Sequence, residues 1–321
     1  MELPEFDEVI AFIQDGDDFL LTSHVNSDGD AIAACLALTR MLDSLDKKAT
    51  IVLQDVPEEP YEFLEGFSSI MAAESVPVEA TACVAVLDCP SLDRIGRIQD
   101  CLDEQTRILN IDHHAGNVHF GAVNLVSENV CSTSELLYHL AVAMGVPIDP
   151  ALAEQLYTGI LFDTGGFRYS LTKPTSMEAA AALVRLGARL DFVADRIYNN
   201  SSLASLKLIG RAIDSLELTA GGRVACLHLT RGDMRSGDPE TAVNYGLKIR
   251  GVEVSMLLKE VAPEHYRVSL RSRERIDVRA VAARFGGGGH TRASGCNIDG
   301  TAESVRAALL EEVGRQLAAA A

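Results

Sequence analysis

Four short apolar segments in the first part of the chain constrain its fold more than any other feature. They cover residues 19–22, 50–53, 83–87 and 107–111, and apolar residues predominate in them without regular polar alternation. Apolar strands of this kind are typical of a parallel sheet that is buried on both faces. A segment with helical periodicity, residues 30–45, follows the first of them. Strands that alternate with helices predict a doubly wound, mainly parallel α/β domain.

Three further helices are predicted from their start and stop signals. Capping-box patterns at residues 132–135 and 175–178 predict helices that end near Gly145 and Gly187. An Asp-Pro pair at residues 149–150 supplies an N-cap and a first-turn proline for a third helix.

The pattern of elements divides the chain into two domains. We expect a first domain over residues 1–190, a helical linker over residues 191–215, and a smaller α/β domain over residues 216–321. The second domain has predicted strands at 224–229, 252–259 and 266–271, and predicted helices at 239–249, 277–285 and 301–319.

Composition excludes several classes of protein. No apolar stretch approaches the ~20 residues that span a bilayer, and the acidic start of the chain lacks the basic region of a signal peptide. The seven cysteines are scattered, without a Cys-x-x-Cys pair, which indicates reduced thiols. We therefore expect a cytoplasmic protein that has no membrane partner.

Charge is unevenly distributed along the chain. Residues 1–200 contain 11 Lys and Arg against 32 Asp and Glu, whereas residues 201–321 contain 17 against 14. Most of the acidic surplus is explained by a solubilising surface. In the second half, seven arginines fall within residues 263–292. That concentration of cations predicts a phosphate-binding surface.

Polar residues follow several predicted elements at the point where each one ends. They comprise five carboxylates and three imidazoles, namely His24, Asp28, Asp30, Asp88, Asp112, His113, His114 and Asp163. Carboxylate oxygens and imidazole nitrogens in this number, without thiolates, are typical of a site that binds two divalent metal ions. Because ligands of open α/β sheets bind beyond the carboxyl ends of the strands, we expect these side chains to converge there.

Each cluster also has a structural explanation when it is taken singly. Asp30 could cap the helix that follows it, adjacent histidines often belong to a polar loop, and Asp163 could belong to a helix-end turn. The order of the clusters and their strand-end positions favour the metal site. Asp88 follows a strand directly and is well placed to be shared between two cations.

A glycine run that ends in a histidine is the second chemical signal. Glycines expose backbone N–H groups and let the main chain approach an anion closely. A flexible hairpin turn is the structural alternative. The residues expected to contact phosphate here are Gly287, Gly288, Gly289 and His290, with Arg271 on a neighbouring segment.

Five motifs, in this order, resemble those of the DHH/DHHA1 phosphoesterase superfamily. They are residues 23–31, residues 86–88, the signature Asp112-His113-His114, residues 159–169 and residues 285–295. The first motif has Ser27 where the family usually has proline, a change that touches no ligand. The resemblance covers nearly the whole chain, and the size and two-domain layout are similar to those of the stand-alone NrnA type. That type includes nano-RNases, pAp phosphatases and cyclic-dinucleotide phosphodiesterases.

The resemblance implies a DHH catalytic domain that binds two Mn²⁺ ions, with Mg²⁺ or Co²⁺ as alternatives, and a DHHA1 substrate-binding domain. One ion is expected on His24, Asp28 and Asp88, and the other on Asp30, Asp88, His113 and Asp163. A hydroxide between the metals would attack phosphorus in line. Asp112 would orient a neighbouring ligand, His114 would contact the scissile phosphate or assist proton transfer, and Arg168, Arg271 and His290 would neutralise phosphate charge.

The expected substrates are short oligonucleotides (nano-RNA and linear dinucleotides), 3′-phosphoadenosine 5′-phosphate (pAp) and cyclic dinucleotides, rather than long duplexes. The sequence does not rank these substrates, and a homodimer is expected only from the family. Two alternatives stay open. One is an inorganic pyrophosphatase or polyphosphatase that uses the same metal ligands, and the other is a non-catalytic nucleotide-binding protein.

Overall fold

The computed structural model describes residues 5–55, 60–75, 82–236, 239–273 and 275–319. The chain forms two compact units, residues 1–200 and residues 201–321. The acidic N-terminal residues 1–4 lie outside the described residues, as does residue 274 within the arginine-rich segment. Within the described residues, no helix is both long and apolar enough to cross a bilayer.

The first unit is built on a six-stranded sheet. Its elements are α1 (Asp7–Asp15), β1 (Asp18–Thr22), α2 (Gly29–Asp43), β2 (Lys48–Leu53), β3 (Met71–Ala72), β4 (Cys83–Leu87), β5 (Arg107–Asp112), β6 (Val123–Val126), α3 (Thr133–Met144), α4 (Pro150–Asp163), α5 (Pro174–Arg185) and α6 (Leu190–Tyr198). The strand order is β3-β2-β1-β4-β5-β6, and every pair is parallel. The predicted doubly wound parallel sheet is therefore confirmed.

Burial on both faces explains why these strands lack a polar alternation. In β4, Ala85 and Leu87 pack into the larger core beneath the long helices, while Val84 and Val86 pack into a smaller core on the opposite face. A strand covered on both sides must be apolar at every position, because each side chain leaves water.

The register brings the ends of three strands to one edge of the sheet. Thr22 lies beside Val86, and Leu87 lies beside Ile111. The strand order reverses between β1 and β4, which creates a topological switch point, the usual ligand-binding position in open α/β sheets. The polar residues that follow β1, β4 and β5 all lie at this edge.

The helix signals match the structure with one correction. Ser132 accepts a hydrogen bond from the Glu135 amide over 3.0 Å, and α3 ends at Gly145 in the left-handed region. The prediction that a capping box at residues 175–178 begins α5 is wrong, because α5 begins one residue earlier, at Pro174. Proline is favoured there, since its fixed φ suits the first turn and its missing N–H would have no helical partner.

The second unit contains a six-stranded mixed sheet. Its elements are α7 (Leu203–Asp214), β7 (Glu217–Thr219), β8 (Val224–Leu229), α8 (Val243–Gly246), β9 (Val254–Ala262), β10 (His265–Ser272), α9 (Val278–Ala283), β11 (Gly288–His290), β12 (Ala293–Asp299) and α10 (Ala302–Ala319). The order is β11-β12-β10-β9-β8-β7, and only the β8–β9 pair is parallel. Helices α9 and α10 cover one face, and α7 and α8 cover the other.

Two predictions for this unit differ from the structure. The helix expected over residues 239–249 is shorter, with a 3-10 turn at Glu240–Ala242 followed by α8. After α8 the backbone forms three-residue turns, in which the Lys248 amide donates to the Tyr245 carbonyl over 3.0 Å. Strands β7, β11 and β12 were not predicted. The glycine-rich β11 has no apolar pattern of its own, and only its pairing with β12 makes it a strand.

Candidate metal centre

Asp88 lies at the centre of the polar residues at the carboxyl edge. It directly follows β4 with a left-handed φ of 53°, a conformation that non-glycine residues rarely adopt, and its amide donates to the Ile111 carbonyl over 2.9 Å. The residue is 2 % exposed. Backbone strain of this kind, about 1–2 kcal/mol, persists only where the surroundings determine the conformation. The turn places the carboxylate among three imidazoles.

Those imidazoles approach both carboxylate oxygens of Asp88. His113 Nε2 lies 3.4 Å and His114 Nδ1 lies 3.7 Å from Oδ1, and His24 Nε2 lies 3.7 Å from Oδ2. Burial alone would raise the pKa of Asp88, but hydrogen bonding to His113 and His24 outweighs it and holds the pKa well below its usual value. Asp88 is therefore an ionised carboxylate in a buried position.

His24 is oriented for ligation by the residue that follows it. Its Nδ1 lies 2.9 Å from the Val25 carbonyl, so Nδ1 carries the proton that is donated and Nε2 faces Asp88. Metal-binding histidines commonly use a carbonyl in this way to fix the ring. Burial lowers the pKa of His24, but Asp88 and Asp28 outweigh it and raise the pKa to about 9.

Asp28 and Asp30 lie at the N-terminus of α2. Asp28 caps the helix, accepting from the Asp30 and Ala31 amides over 3.1 Å and 3.2 Å. The Asp30 carboxylate accepts from two amides at the start of α3, from Thr133 over 2.7 Å and from Ser134 over 3.1 Å. Burial, followed by repulsion from Asp88, raises the pKa of both carboxyl groups. A cation would relieve that electrostatic penalty.

Asp163 lies at the C-terminus of a helix, whereas Asp28 and Asp30 lie at the N-terminus of one. It is the last residue of α4, where the carbonyls of the helix disfavour a negative charge. Its Oδ2 lies 3.0 Å from His113 Nε2. Burial raises the pKa of Asp163 to about 6, although His113 lowers it in part. A carboxylate in this position is stabilised by a cation.

Asp112 orients His114 from behind. Asp112 Oδ1 lies 2.7 Å from His114 Nδ1, and Asp112 Oδ2 accepts from the Asn117 side-chain amide over 2.6 Å. The Asn117 amide also reaches Asn110 Oδ1 over 2.8 Å, and Asn110 in turn donates to the Cys89 carbonyl over 3.1 Å. This network joins the turn after β4 to the turn after β5. Because Asp112 is held in place, His114 donates to it from Nδ1. The other ring nitrogen of His114, Nε2, is then left to accept or release a proton.

Among described residues of the first unit alone, the donor atoms form three groups whose members lie within 4.8 Å of one another. They are His24 with Asp28 and Asp88, Asp30 with His113 and Asp163, and Asp88 with Asp112 and His114. The donors are carboxylate oxygens and imidazole nitrogens, which suit Mn²⁺, Mg²⁺, Co²⁺ and Zn²⁺ better than soft cations. The first group contains the residues expected to hold one ion, and the second contains three of the four expected to hold the other. Asp88, the fourth, lies 3.4 Å from His113. These residues could hold divalent cations.

Two residues of the site were not found from sequence. Thr133 donates its hydroxyl to Asp88 Oδ1 over 2.9 Å, and Asn117 holds Asp112 as described above. Thr133 falls inside the Ser-x-x-Glu capping pattern, which marks a helix start but gives no indication that the helix start faces a carboxylate. Asn117 lies in an irregular loop without a periodic signal.

Arg168 lies in the turn that follows Asp163. It is exposed, and its Nε donates to the Gly165 carbonyl over 2.5 Å. It is therefore hydrogen-bonded to the turn that begins directly after Asp163, a candidate metal ligand.

The remaining expected substrate residues belong to the second unit. Arg271 and His290 both lie opposite Ala293, on the two strands that flank β12, so their side chains point to one face about 10 Å apart. A Cβ on Gly287 would collide with the Gly295 carbonyl, and one on Gly289 would lie 2.6 Å from the Ala293 carbonyl. Strand packing thus requires both glycines, whether or not they contact phosphate, whereas the space beside Gly288 is open.

Comparison with known proteins identifies the family of the chain. The N-terminal domain of the DHH family matches residues 18–160, and the DHHA1 domain matches residues 221–319. The chain is 30% identical over 306 residues to the bifunctional oligoribonuclease and PAP phosphatase NrnA of Thermus thermophilus, covering 92% of this chain and 90% of that protein. It is 25% identical over 303 residues to the protein of the same name from Bacillus subtilis, covering 91% and 92%.

Solved structures extend the comparison. An exopolyphosphatase-related protein from Bacteroides fragilis has a TM-score of 0.89 and 28% identity, covering 97% of each chain. An exonuclease RecJ bound to manganese has a TM-score of 0.51 and 15% identity, covering 98% of this chain and 96% of that one. At that identity, the second comparison shows a shared fold alone.

Proposed function

Because the chain belongs to the DHH family and carries a DHHA1 domain after its DHH domain, we propose that it is a divalent-metal-dependent phosphoesterase. Its proposed substrates are short oligoribonucleotides, linear dinucleotides and pAp. The names of the Thermus and Bacillus relatives include both activities. The observation that carries the proposal is the convergence of two metal-compatible groups, one of which contains the buried Asp88 while the other contains His113, 3.4 Å from Asp88.

The proposed cofactor is a pair of Mn²⁺ ions, with Mg²⁺ or Co²⁺ as alternatives. The proposed ligand sets are His24, Asp28 and Asp88 for one ion, and Asp30, Asp88, His113 and Asp163 for the other. When bound, such cations would screen the phosphate charge and make water a stronger nucleophile at neutral pH.

The protein groups have separate proposed roles around the phosphate. Asp112 fixes the tautomer of His114, whose Nε2 is then available to hold or transfer a proton at the scissile phosphate. Arg168 supplies a permanent positive charge next to Asp163. In the second unit, Arg271 and His290 share one sheet face and would contact a phosphate together with backbone N–H groups of the glycine run.

Hydrolysis of cyclic dinucleotides and assembly as a homodimer are further parts of the proposal, and they rest on the family. Residence in the cytoplasm is proposed from the scattered cysteines. Long duplexes are proposed to be excluded as substrates. We also propose that residues 1–190 form the catalytic domain, that residues 191–215 join it to the substrate-binding domain, and that the latter covers residues 216–321.

Inorganic polyphosphate is a second candidate substrate. The structural similarity to an exopolyphosphatase-related protein, at a TM-score of 0.89, favours it specifically. The metal ligands would serve either reaction, since both cleave a bond to phosphorus. The presence of a nucleoside in the substrate is what distinguishes the two candidates.

A panel of substrates tests the proposal directly. Metal-free protein is supplied with Mn²⁺ and then with the dinucleotide pApA, pAp, cyclic di-AMP, pyrophosphate or polyphosphate, and released phosphate or mononucleotide is measured. We expect pApA and pAp to be hydrolysed, and the Asp88→Ala protein to hydrolyse neither. Turnover confined to pyrophosphate or polyphosphate would favour the second candidate. Tight nucleotide binding without any turnover would favour a binding protein.

A further inference from the structure

The turn that follows Asp163 has an unusual backbone. Gly165, Gly166 and Phe167 have φ values of 57°, 68° and 62°, so three successive residues are left-handed. Thr164 stabilises the turn, because its carbonyl accepts from the Arg168 and Tyr169 amides, each over 2.9 Å. The reversal places the side chains that follow it beside the last turn of α4, where Asp163 lies.

Two tyrosines pack against the glycines of this turn. The Tyr169 ring lies directly against Gly165, and the Tyr198 ring lies 3.6 Å from the position of a Cβ on Gly166. Tyr198 is also fixed at its hydroxyl, which donates to the Leu161 carbonyl over 2.9 Å. Both rings are therefore held by the backbone on either side of Asp163.

Both rings nevertheless stay accessible. Tyr169 is 45 % exposed and Tyr198 is 40 % exposed, whereas Tyr157 is buried in the core of the same unit. Arg168 immediately precedes Tyr169, and its guanidinium carbon lies 5.6 Å from the centre of the Tyr198 ring. Two accessible aromatic rings and a cation thus lie at the turn that directly follows Asp163, a candidate metal ligand, in the acidic half of the chain.

We propose that Tyr169 and Tyr198 form a nucleoside-binding surface on which a base of the substrate stacks, while Arg168 contacts the adjoining phosphate. This inference rests on the proposed function and names the residues through which the DHH domain itself recognises a nucleoside. Ordered aromatic rings are suited to stacking, because little conformational freedom is lost when the base binds. Stacking accepts every base, so the surface favours nucleotides over inorganic phosphates without selecting a sequence.

The test compares two substrates that differ only in their bases. One is pApA, and the other is a 5′-phosphorylated dinucleotide in which both bases are replaced by abasic tetrahydrofuran residues. KM and kcat are measured for wild-type protein, for the Tyr169→Ala/Tyr198→Ala double variant, and for the matched Tyr169→Phe/Tyr198→Phe variant, which keeps both rings.

We expect the alanine variant to raise KM for pApA about fivefold or more and to leave KM for the abasic substrate unchanged. The phenylalanine variant should resemble wild type on both substrates. An unchanged KM for pApA would overturn the proposal. An equal loss on both substrates would also overturn it, because the rings would then only support the turn. If wild-type protein hydrolyses neither substrate, the proposed function itself fails, which is a separate result.

Discussion

The hydroxyl of Thr133 donates a hydrogen bond to Oδ1 of Asp88 over 2.9 Å. The backbone amide of the same residue donates to Oδ2 of Asp30 over 2.7 Å. One residue at the start of α3 therefore holds two carboxylates that belong to different candidate metal groups. Each of these hydrogen bonds fixes the orientation of a carboxylate and occupies one of its oxygens. Because both bonds come from the same residue, they also fix the distance between the two groups.

Replacing Thr133 with valine should weaken metal binding while keeping the fold. Valine has the same shape and retains the amide that holds Asp30, but it loses the hydrogen bond to the charged Asp88, worth about 1.5–3 kcal/mol. We expect Mn²⁺ affinity, measured by calorimetry on metal-free protein, to fall about tenfold or more. Thr133→Ser retains the hydroxyl and should bind like wild type; equal weakening in both variants would contradict this role.

Gly159 is predicted to be essential for the position of Asp30. A Cβ on Gly159 would collide with Oδ1 of Asp30 and with the Ser134 hydroxyl, both of which are buried. We expect Gly159→Ala to destabilise the protein by about 1–3 kcal/mol in denaturant unfolding and to impair metal binding. Gly210→Ala is a matched control, because Gly210 lies within α7 and nothing is within 4 Å of its added methyl group. Normal metal affinity in the Gly159→Ala protein would refute the prediction.

Asp163 should make the metal-free protein less stable at neutral pH. Burial raises its folded pKa to about 6 from its usual value of 3.8, so the stability it contributes is complete below pH 3.8 and is lost as pH rises through 6. Metal-free Asp163→Asn protein should therefore have a higher Tm than wild type at pH 7.5, by about 2–4 °C. The difference should disappear near pH 4.

Metal addition supplies the control for that prediction. The Asp163→Asn protein should lose most of the rise in Tm that Mn²⁺ produces in wild-type protein, because a proposed ligand is gone. A variant that is less stable than wild type without metal, or equally stabilised by it, would show that Asp163 is a structural residue.

His290 is predicted to act on substrate rather than on metal. It lies on β11 in the second unit, on the same sheet face as Arg271. We expect His290→Ala mainly to raise KM for pApA, with Mn²⁺ stoichiometry unchanged in calorimetry. Arg315→Ala, which removes an exposed cation paired with Glu311 on α10, should leave KM unaltered. Loss of a metal ion from the His290→Ala protein would contradict the assignment.

The site residues that could be predicted from the sequence are those whose place in the fold follows from the strand or helix that they end. Asp88 and Asp112 each end a buried strand, and parallel strands bring their ends to one edge, so a one-dimensional pattern was enough to place them. Asp163 follows a predicted helix and not a strand, so its inclusion depended on the polar cluster at the helix end, and its motif resemblance supported it.

The remaining features depend on contacts that no local pattern contains. The bond from the Thr133 amide to Asp30 joins residues 103 positions apart. Strand β11 exists because β12 lies beside it, and the tyrosines at 169 and 198 meet only through the fold of the left-handed turn. Such relationships follow from packing in three dimensions, which propensity and periodicity do not encode.

Turnover of pApA by the Asp88→Ala protein in saturating Mn²⁺ is the most direct test of the central claim, that the carboxyl edge binds the cations on which hydrolysis depends. Removing the carboxylate that both metal groups approach should abolish hydrolysis and lower Mn²⁺ binding, while wild-type protein hydrolyses pApA only when a divalent cation is present. Near-normal turnover by the Asp88→Ala protein would contradict the account.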